Sequence, residues 1–306
     1  MTSRAIVVPF HLYTPFGKSF YDPIYKYFMQ QMQEYKNEYT KLYLIDSNWG
    51  LEAEYDNVEV IKVNPSLRYY DAYKEALPKI KEDLVLLLDN DMVVYRKGRI
   101  DAIFEPIERG SRNVVSIYDT IGKTYKELGD KSKFCPYLFA TSKELLMKYR
   151  DCEWGPNMPE HETLGKLTEM MLKDGLKPYE MVEDKSNFLF DGTKDAEKGK
   201  DLGYYHIRSG SLPAYLLATI NGGDPKTYYD YLKNQPKSEY LRQIAWYWYM
   251  CYSIKDEDNM LALTRILQDA GVSEGDWYEY FFKFVKYHNL PFKIITYASQ
   301  KAIRAD

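Results

Sequence analysis

Five consecutive branched apolar residues, Leu84 to Leu88, constrain the fold of this chain more than any other segment. A short, continuous apolar run is typical of a strand that is buried on both faces, as the strands of parallel sheets are. Such a strand needs a layer of helices on each side, so the run predicts an α/β architecture. It ends directly in the polar residues Asp89, Asn90 and Asp91.

Strand and helix patterns alternate before this run. Apolar segments of strand length occur at 5–9, 41–46 and 58–63. Between them, Asp22 and Pro23 predict the start of a helix, because an acidic cap followed by proline is a common helix opening. A second helix is predicted at 69–80, with Pro78 as a kink or an early stop. This alternation predicts a mostly parallel sheet that is flanked by helices.

The pattern changes towards the C-terminus. Further strands are predicted at 114–118 and 137–140, followed by a helix at 163–173 and a polar surface loop at 194–200. Three helical segments then occur at 240–252, 259–269 and 277–288. We therefore expect an α/β domain over residues 1–224 and a small helical subdomain over residues 225–306.

The composition excludes some classes of protein. With 306 residues, 45% of them apolar, the chain can bury a sizeable core, and its net charge of -4 argues against a general nucleic-acid binder. No apolar run approaches the roughly 20 residues of a membrane helix, and the first strand has no signal peptide before it. Cys135, Cys152 and Cys251 form no metal-binding pattern, which favours a reducing, cytoplasmic location.

Asp89 and Asp91 are the strongest candidates for a functional site. Carboxylates two residues apart can point to the same side at the end of a strand, with Asn90 on the other side. Ligands of open α/β sheets bind beyond the carboxyl ends of the strands. Two hard oxygen ligands at that edge suit Mg²⁺ or Mn²⁺, although an Asp-x-Asp pair can also be a polar turn after a core strand.

Several motifs in order make residues 4–210 resemble a GT-A-fold glycosyltransferase of the broad family-2 type. They are Ile6 to Pro9, the strand ending in Asp46, Asn64, the pair Glu75-Ala76, and the strand that runs into Asp89-Asn90-Asp91. The resemblance implies transfer of a sugar from a nucleotide-diphosphate sugar to an acceptor hydroxyl. It also implies an Mn²⁺ or Mg²⁺ ion between the two aspartates and the donor diphosphate.

The resemblance further implies a nucleotide near Pro9, Phe10 and Asp46, with His11 beside it and Asn90 at the same site. One departure stands out. The family often has Arg-Asn in the helix before the metal strand, whereas this chain has Tyr70 and Asp71 there, and Arg68 is the candidate replacement for the lost cation.

Two acidic residues before the helix at 163–173 are candidates for a general base, which the resemblance places on the acceptor side. Glu162 matches the family position best and Glu160 is the alternate. A base is needed because an acceptor hydroxyl becomes a good nucleophile only when its proton is removed. Both residues can instead be first-turn acids that the helix dipole favours. A base at this position leans towards inversion of configuration.

His206 is a candidate third metal ligand, because many GT-A enzymes complete the metal shell with a histidine from near the end of the domain. A single histidine is more often structural, and His288 in the last helix is expected to be so. Arg208, two residues after His206, is a candidate to contact a phosphate.

Two other functions stay open. A nucleotidyltransferase has a similar sheet, but it usually carries a Gly-rich basic loop after the first strand, and here no glycine occurs between Pro9 and Gly17. A sugar-binding module without turnover is the other alternative, against which the joint presence of the acidic and histidine candidates argues. Neither a P-loop nor a dinucleotide-binding glycine motif is present.

The acceptor is not predicted: a glycan, a lipid-linked sugar, a protein, a small molecule or a modified nucleic-acid base all fit. Aromatic residues of the C-terminal helices can form either an acceptor platform or a self-contained helical core. They are Trp246, Tyr247, Trp248, Tyr249, Trp277, Tyr278, Phe281 and Phe282.

Overall fold

The computed structural model describes residues 2–11, 18–94, 97–119, 133–156, 164–187, 190–195, 201–206, 213–214, 216–217, 237–288 and 290–292. The strands are β1 Arg4–Phe10, β2 Lys41–Asp46, β3 Val58–Lys62, β4 Leu84–Leu88, β5 Met92–Val94, β6 Val114–Asp119, β7 Lys133–Ser142, β8 Pro178–Asn187, β9 Phe190–Asp195 and β10 Asp201–His206. The α-helices are α1 Lys18–Glu34, α2 Tyr69–Ala76, α3 Arg99–Glu108, α4 Lys143–Lys148, α5 Gly165–Lys173, α6 Lys237–Ile254, α7 Glu257–Asp269 and α8 Glu274–Tyr287.

Within the described residues the strands form one ten-stranded sheet in the order β3-β2-β1-β4-β7-β6-β8-β9-β10-β5. The first four strands pair in parallel. Antiparallel pairs begin where β7 lies between β4 and β6. Strands β6, β8 and β10 run in the same direction as β1 to β4, so most of the described strands are oriented the same way. The expected mostly parallel α/β sheet with flanking helices and a helical C-terminal part is confirmed.

Strand β4 contributes to two separate apolar cores, one on each face of the sheet. Leu84, Leu86 and Leu88 belong to the core that also contains residues of α1 and of the C-terminal helices. Val85 and Leu87 belong to the core on the opposite face, together with residues of α2 and α5. Successive strand residues point to opposite faces, so a run with no polar interruption is what a strand in this position requires.

The C-terminal helices share their core with the sheet. Six of the eight aromatic side chains named for these helices are buried core residues, but the core is shared with the sheet and is not the self-contained helical core that was expected: Trp246, Tyr247, Trp248, Tyr249, Trp277 and Phe281. Tyr27 of α1 meets Tyr249 of α6 edge to face at 5.9 Å between ring centroids. The predicted boundary at residue 224 lies outside the described residues. No helix in the described part of the chain is long and apolar enough to cross a membrane.

The predicted start of the first helix is wrong. The described part of α1 begins at Lys18, and Pro23 lies inside the helix and does not open it. Proline has no N–H to donate to the carbonyl four residues earlier, which is that of Ser19. That carbonyl accepts a hydrogen bond of 3.4 Å from the Asn259 side chain instead. Packing against α7 therefore replaces the bond that Pro23 removes from the helix.

Other predictions hold with adjusted bounds. Helix α2 stops at Ala76, and a 3₁₀ turn at Leu77–Lys79 contains Pro78, so the early stop is confirmed. Gly175, with φ of 77°, follows α5 as predicted for a helix end. The loop predicted at 194–200 is wrong at its start, because Lys194 and Asp195 pair within the sheet as part of β9. Residues 196–200 lie outside the described residues.

Replacing Asn259 by alanine should destabilise the protein by about 0.5–1.5 kcal/mol, because the part-buried hydrogen bond to the Ser19 carbonyl is lost. The substitution also removes a 2.8 Å hydrogen bond to Asp256. In a Pro23→Ala background the restored N–H can bond the Ser19 carbonyl, so the loss should be smaller. Urea unfolding of the four proteins measures this coupling, and an equal loss in both backgrounds would contradict the assignment.

Candidate active site

The Asp89-Asn90-Asp91 turn lies at the carboxyl end of β4, where the chain reverses into β5. The N–H of Met92 donates to the Asp89 carbonyl at 3.2 Å and closes the turn. The N–H of Asp89 donates to the Tyr137 carbonyl, also at 3.2 Å, which extends the pairing of β4 with β7 by one bond. Asp91 is buried and Asp89 is partly exposed. Both carboxylates are therefore carried by a short, hydrogen-bonded turn.

Strand β10 brings the backbone of His206 to the same turn. His206 pairs with Met92 in the antiparallel register of β10 and β5, so it lies opposite the residue that follows Asp91. The two segments are more than a hundred residues apart in sequence, and strand pairing in the sheet brings them together. The juxtaposition fits the predicted third ligand, which remains a prediction. Arg208 lies outside the described residues.

Asn90 ties the turn to the neighbouring strand. Its side-chain amide donates to the Pro9 carbonyl at 3.3 Å. The pairing of β1 with β4 extends in the ladder only as far as Val7 and Leu87. The amide of Asn90 thus continues the connection beyond the last ladder pair. Contact of Pro9 and Asn90 with a nucleotide stays a prediction.

The ring of Phe10 does not face this edge of the sheet. It is fully buried and meets the rings of Tyr25, Phe28 and Trp49 at centroid distances of 5.6, 5.8 and 5.3 Å. Strand alternation places Phe10 on the same face as Ile6 and Val8, towards the core of α1. The Phe10 side chain therefore packs as a core residue, and contact of Phe10 with a nucleotide stays a prediction.

Asp46 organises the loop after β2. Its carboxylate accepts hydrogen bonds from the N–H groups of Trp49 at 2.6 Å, Gly50 at 3.2 Å and Leu51 at 2.8 Å. The side chain is buried at the end of β2, in register with Phe10. It therefore shapes the loop beside the predicted nucleotide site, whatever contact it makes with a ligand.

His11 and Arg68 are the other predicted nucleotide contacts that the structure describes. His11 directly follows β1, and burial lowers the pKa of its imidazole, which favours the neutral form. Arg68 immediately precedes α2, and its guanidinium donates to the Tyr70 hydroxyl at 2.8 Å. That hydrogen bond raises the pKa of Arg68. Tyr70 stands where the family pattern has an arginine. Its hydroxyl accepts a hydrogen bond from Arg68, the candidate replacement for that cation.

Tyr73 is a functional candidate that the sequence analysis treated only as a core residue. Its hydroxyl is buried and lies 3.2 Å from the Leu88 carbonyl, at the end of β4. Burial raises the pKa of Tyr73 well above its ordinary value, and the charge of Asp89 and a hydrogen bond with its side chain add to the effect. The available signal was a tyrosine on a buried helix face, because a buried hydroxyl needs a partner.

The candidate bases Glu160 and Glu162 lie outside the described residues, but both ends of their segment are fixed. Trp154 and Leu164 are buried, and the N–H of Leu164 donates to the Trp154 carbonyl at 2.8 Å. Leu164 has φ of 60°, a left-handed conformation that a leucine rarely adopts. Such backbone strain persists only where the surrounding structure imposes it. Helix α5 begins at the next residue.

Gly155 joins this segment to α2. A Cβ atom at Gly155 would lie 2.6 Å from Cε2 of Tyr70 and 2.9 Å from its hydroxyl oxygen. The Tyr70 ring therefore occupies the space that any larger residue would need. Since Tyr70 and Tyr73 are three residues apart, they lie on neighbouring positions of the same helix face. One face of α2 therefore contacts both the end of β4, through Tyr73, and Gly155, through Tyr70.

The donor set fits a divalent ion with few protein ligands. Among the described side chains, no group of three or more His, Cys, Asp and Glu residues is arranged to hold a metal. Asp89 and Asp91 offer two carboxylates, which matches the way Mg²⁺ is usually held, by one or two carboxylates with phosphates and water as the other ligands.

Comparison with known proteins gives similarities of fold only. No family model and no curated protein matches the chain. A CMP:2-keto-3-deoxy-manno-octonic acid synthetase complexed with CTP is similar over 59% of this chain and 90% of its own, at 12% identity and a TM-score of 0.39. Glucosyl-3-phosphoglycerate synthase from Mycobacterium tuberculosis, with Mn²⁺, uridine diphosphate and phosphoglyceric acid, covers 59% and 68%, at 16% identity and 0.39. The 2-C-methyl-D-erythritol 4-phosphate cytidylyltransferase of Francisella tularensis covers 61% and 93%, at 14% identity and 0.43.

Gly155→Ala should destabilise the protein by about 1–3 kcal/mol, because the new methyl group forces the buried Tyr70 ring to move. The backbone of Gly155 has no left-handed φ, so lost space is the only penalty. Tyr70→Leu removes the clashing ring atoms, and Gly155→Ala should then have a much smaller effect. A double-mutant cycle of unfolding free energies measures the coupling, and additive effects would contradict this contact.

Proposed function

We propose that the chain transfers a sugar from a nucleotide-diphosphate sugar to an acceptor hydroxyl, with an Mn²⁺ or Mg²⁺ ion held by Asp89 and Asp91. The observation that carries this proposal is the position of the Asp-x-Asp turn. It follows a fully buried strand at the carboxyl edge of the parallel half of the sheet, where α/β proteins bind their ligands. The order of motifs that resembles GT-A-fold glycosyltransferases supports the same conclusion.

In this proposal the donor lies along the edge formed by the ends of β1, β2 and β4. The loop shaped by Asp46, the backbone around Pro9 and the His11 imidazole border the nucleotide. Arg68, fixed by Tyr70, supplies a positive charge near the diphosphate. The bound ion would neutralise charge on the departing diphosphate, which makes it a better leaving group. His206 is proposed as a third ligand on the strength of its pairing with Met92.

The acceptor side of the proposal rests on Glu162, with Glu160 as its alternate. The carboxylate takes the proton of the acceptor hydroxyl while the acceptor oxygen forms a bond to the anomeric carbon. The bond from that carbon to the diphosphate oxygen breaks, and the nucleoside diphosphate leaves with its electron pair. The strained backbone at Leu164, directly after the acidic segment, supports a functional role for this part of the chain.

We also propose the division into a catalytic domain over 1–224 and a helical subdomain over 225–306. The two share one apolar core, so the helices would act as a support for α1 and β1. The acceptor is not defined by the aromatic residues of α6, because these rings are buried.

Asp91→Asn should lower sugar transfer by several orders of magnitude, each tenfold loss corresponding to about 1.4 kcal/mol of transition-state stabilisation. EDTA should have the same effect on the unmodified protein. Asp83→Asn is the matched control, because Asp83 lies at the opposite end of β4, where its carboxylate accepts bonds from Ser3. The donor is first identified by a thermal-shift screen of nucleotide sugars with and without Mn²⁺.

The products distinguish the alternatives in that experiment. Release of a nucleoside diphosphate supports glycosyl transfer, whereas release of pyrophosphate from a nucleoside triphosphate would indicate a nucleotidyltransferase. Donor binding with no turnover under any condition would indicate a sugar-binding module. Full activity of Asp91→Asn, or of the protein in EDTA, contradicts the metal assignment.

Glu162→Gln should reduce turnover by about 10²–10⁴-fold, because the amide cannot accept a proton at neutral pH. Donor affinity should stay close to that of the unmodified protein. Glu160→Gln is the matched comparison within the same segment. Loss of turnover in Glu160→Gln alone would move the base to that residue. Normal turnover in both variants would assign the acidic pair to the start of α5 and favour a retaining reaction.

A further inference from the structure

Arg68 lies at the N-terminal end of α2, at the same edge of the sheet as the Asp-x-Asp turn. Strands β1 to β4 pair in parallel, so the helix that follows β3 begins at their shared carboxyl edge. In the second turn of α2, the Tyr73 hydroxyl donates to the carbonyl of Leu88, the last residue of β4, at 3.2 Å. Arg68 comes five residues earlier and is exposed, so it lies beyond the strand end, where ligands of such sheets bind.

The charge of Arg68 is unfavourable for the helix itself. The N-terminal end of a helix carries a partial positive charge, so a cation there is normally destabilising. Arg68 is the N-cap residue of α2, and among the described residues its side chain caps no N–H group of the helix. Asp71, the acidic residue of the first turn, offsets part of the charge. Helix stability therefore does not explain a cation at this position.

The Tyr70 hydroxyl holds the Arg68 side chain in place. A terminal nitrogen of the guanidinium donates to the hydroxyl oxygen at 2.8 Å. A guanidinium has five N–H donors, so a bond that uses one of them leaves the others for an anion. An exposed arginine loses rotamer freedom when a ligand immobilises it, and this loss lowers affinity. A side chain that Tyr70 already holds has less freedom to lose.

Tyr70 is itself fixed, because α2 is attached at two successive turns to the segment that follows α4. The Tyr70 ring is buried and fills the space beside Gly155, where a Cβ atom would lie 2.6 Å from Cε2. One turn further on, the Lys74 ammonium donates to the Cys152 carbonyl at 3.1 Å. The Arg150 side chain donates in return to the Lys74 carbonyl, also at 3.1 Å. With contacts at both turns, the helix cannot pivot about either one.

We infer that Tyr70 is a positioning residue that holds Arg68 ready for the phosphates of the donor. The inference rests on the proposed function, which places a nucleoside diphosphate at this edge. It adds that part of the affinity for phosphate comes from a tyrosine that acts only through Arg68. A phenol suits this task because it accepts the hydrogen bond without a charge. A carboxylate in its place would neutralise the cation and compete with the phosphate.

The test combines Tyr70→Phe and Arg68→Gln in a double-mutant cycle. Tyr70→Phe keeps the ring against Gly155 and removes only the hydroxyl group. Tyr39→Phe is the matched control, because it also removes the hydroxyl of a buried tyrosine, one that donates to the Met32 carbonyl at 2.9 Å. UDP, GDP, ADP and CDP are titrated calorimetrically with Mn²⁺ present. The tightest binder and its nucleoside are then measured with every variant, and unfolding curves confirm that each variant folds.

Tyr70→Phe should raise the dissociation constant of the nucleoside diphosphate by about 2–10-fold, which corresponds to ordering one long side chain on binding. The nucleoside, which has no phosphate, should bind equally well to all variants. Tyr39→Phe should leave both affinities unchanged. In the Arg68→Gln background, Tyr70→Phe should cause no further loss, because the tyrosine acts only through the arginine.

The outcomes separate the inference from the proposed function. If Tyr70→Phe binds the diphosphate normally, or weakens it equally in the Arg68→Gln background, the inference is wrong while the donor site stands. If Arg68→Gln binds the diphosphate normally, Arg68 does not contact the phosphates and the inference is wrong as well. If none of the four nucleotides binds, the proposed function is contradicted and the inference falls with it.

Discussion

The burial of β4 on both faces is the constraint on which the rest of the structure depends. Its alternate side chains enter two separate apolar cores, so neither face of the strand can carry a polar group without a large penalty. Polar residues can follow only where the strand leaves the sheet. Asp89 and Asp91 occupy that first permitted place, and the parallel neighbour β1 brings its own carboxyl end to the same edge. The residues that pack in the two cores and the candidate metal ligands therefore follow one another along one segment of the chain.

Several side chains with no proposed chemical role stabilise the loops at the carboxyl ends of β1, β2 and β4. Asn90 bridges the turn to β1, and Asp46 gathers three backbone N–H groups of the next loop. Tyr70 fixes Arg68. Each interaction satisfies buried or half-buried backbone or side-chain polar groups that would otherwise be left without a partner. The described part of this edge is therefore held by its own hydrogen bonds.

Local pattern was sufficient to predict β1 to β4, β6, β7 and the polar turn, because burial on two faces leaves a continuous apolar signal in the sequence. The strands β5, β8, β9 and β10 were not predicted. Features that depend on distant partners were not predictable in this way. Helix α1 extends through Pro23 because Asn259, far along the chain, takes over the freed carbonyl. The antiparallel insertion of β7 beside β4 has no local signature either.

The same limit applies to the candidate site. The spacing of Asp89 and Asp91 indicates their chemistry directly, since both belong to one short segment. Tyr73 looks like any other ring on an amphipathic helix, and its role depends on which strand end that helix packs against. Pairing of His206 with Met92 depends on a sheet whose later strands cannot be ordered from their patterns alone.

Helix α2 has a consequence for how this chain can vary in length. Tyr70 and Tyr73 are separated by three residues, or about 4.5 Å of helix rise, and each contacts a different part of the edge. Inserting or deleting one residue between them would rotate one ring by about 100° relative to the other and separate the two contacts. The helix therefore works as a spacer of fixed length. These two contacts constrain the number of residues between the two tyrosines.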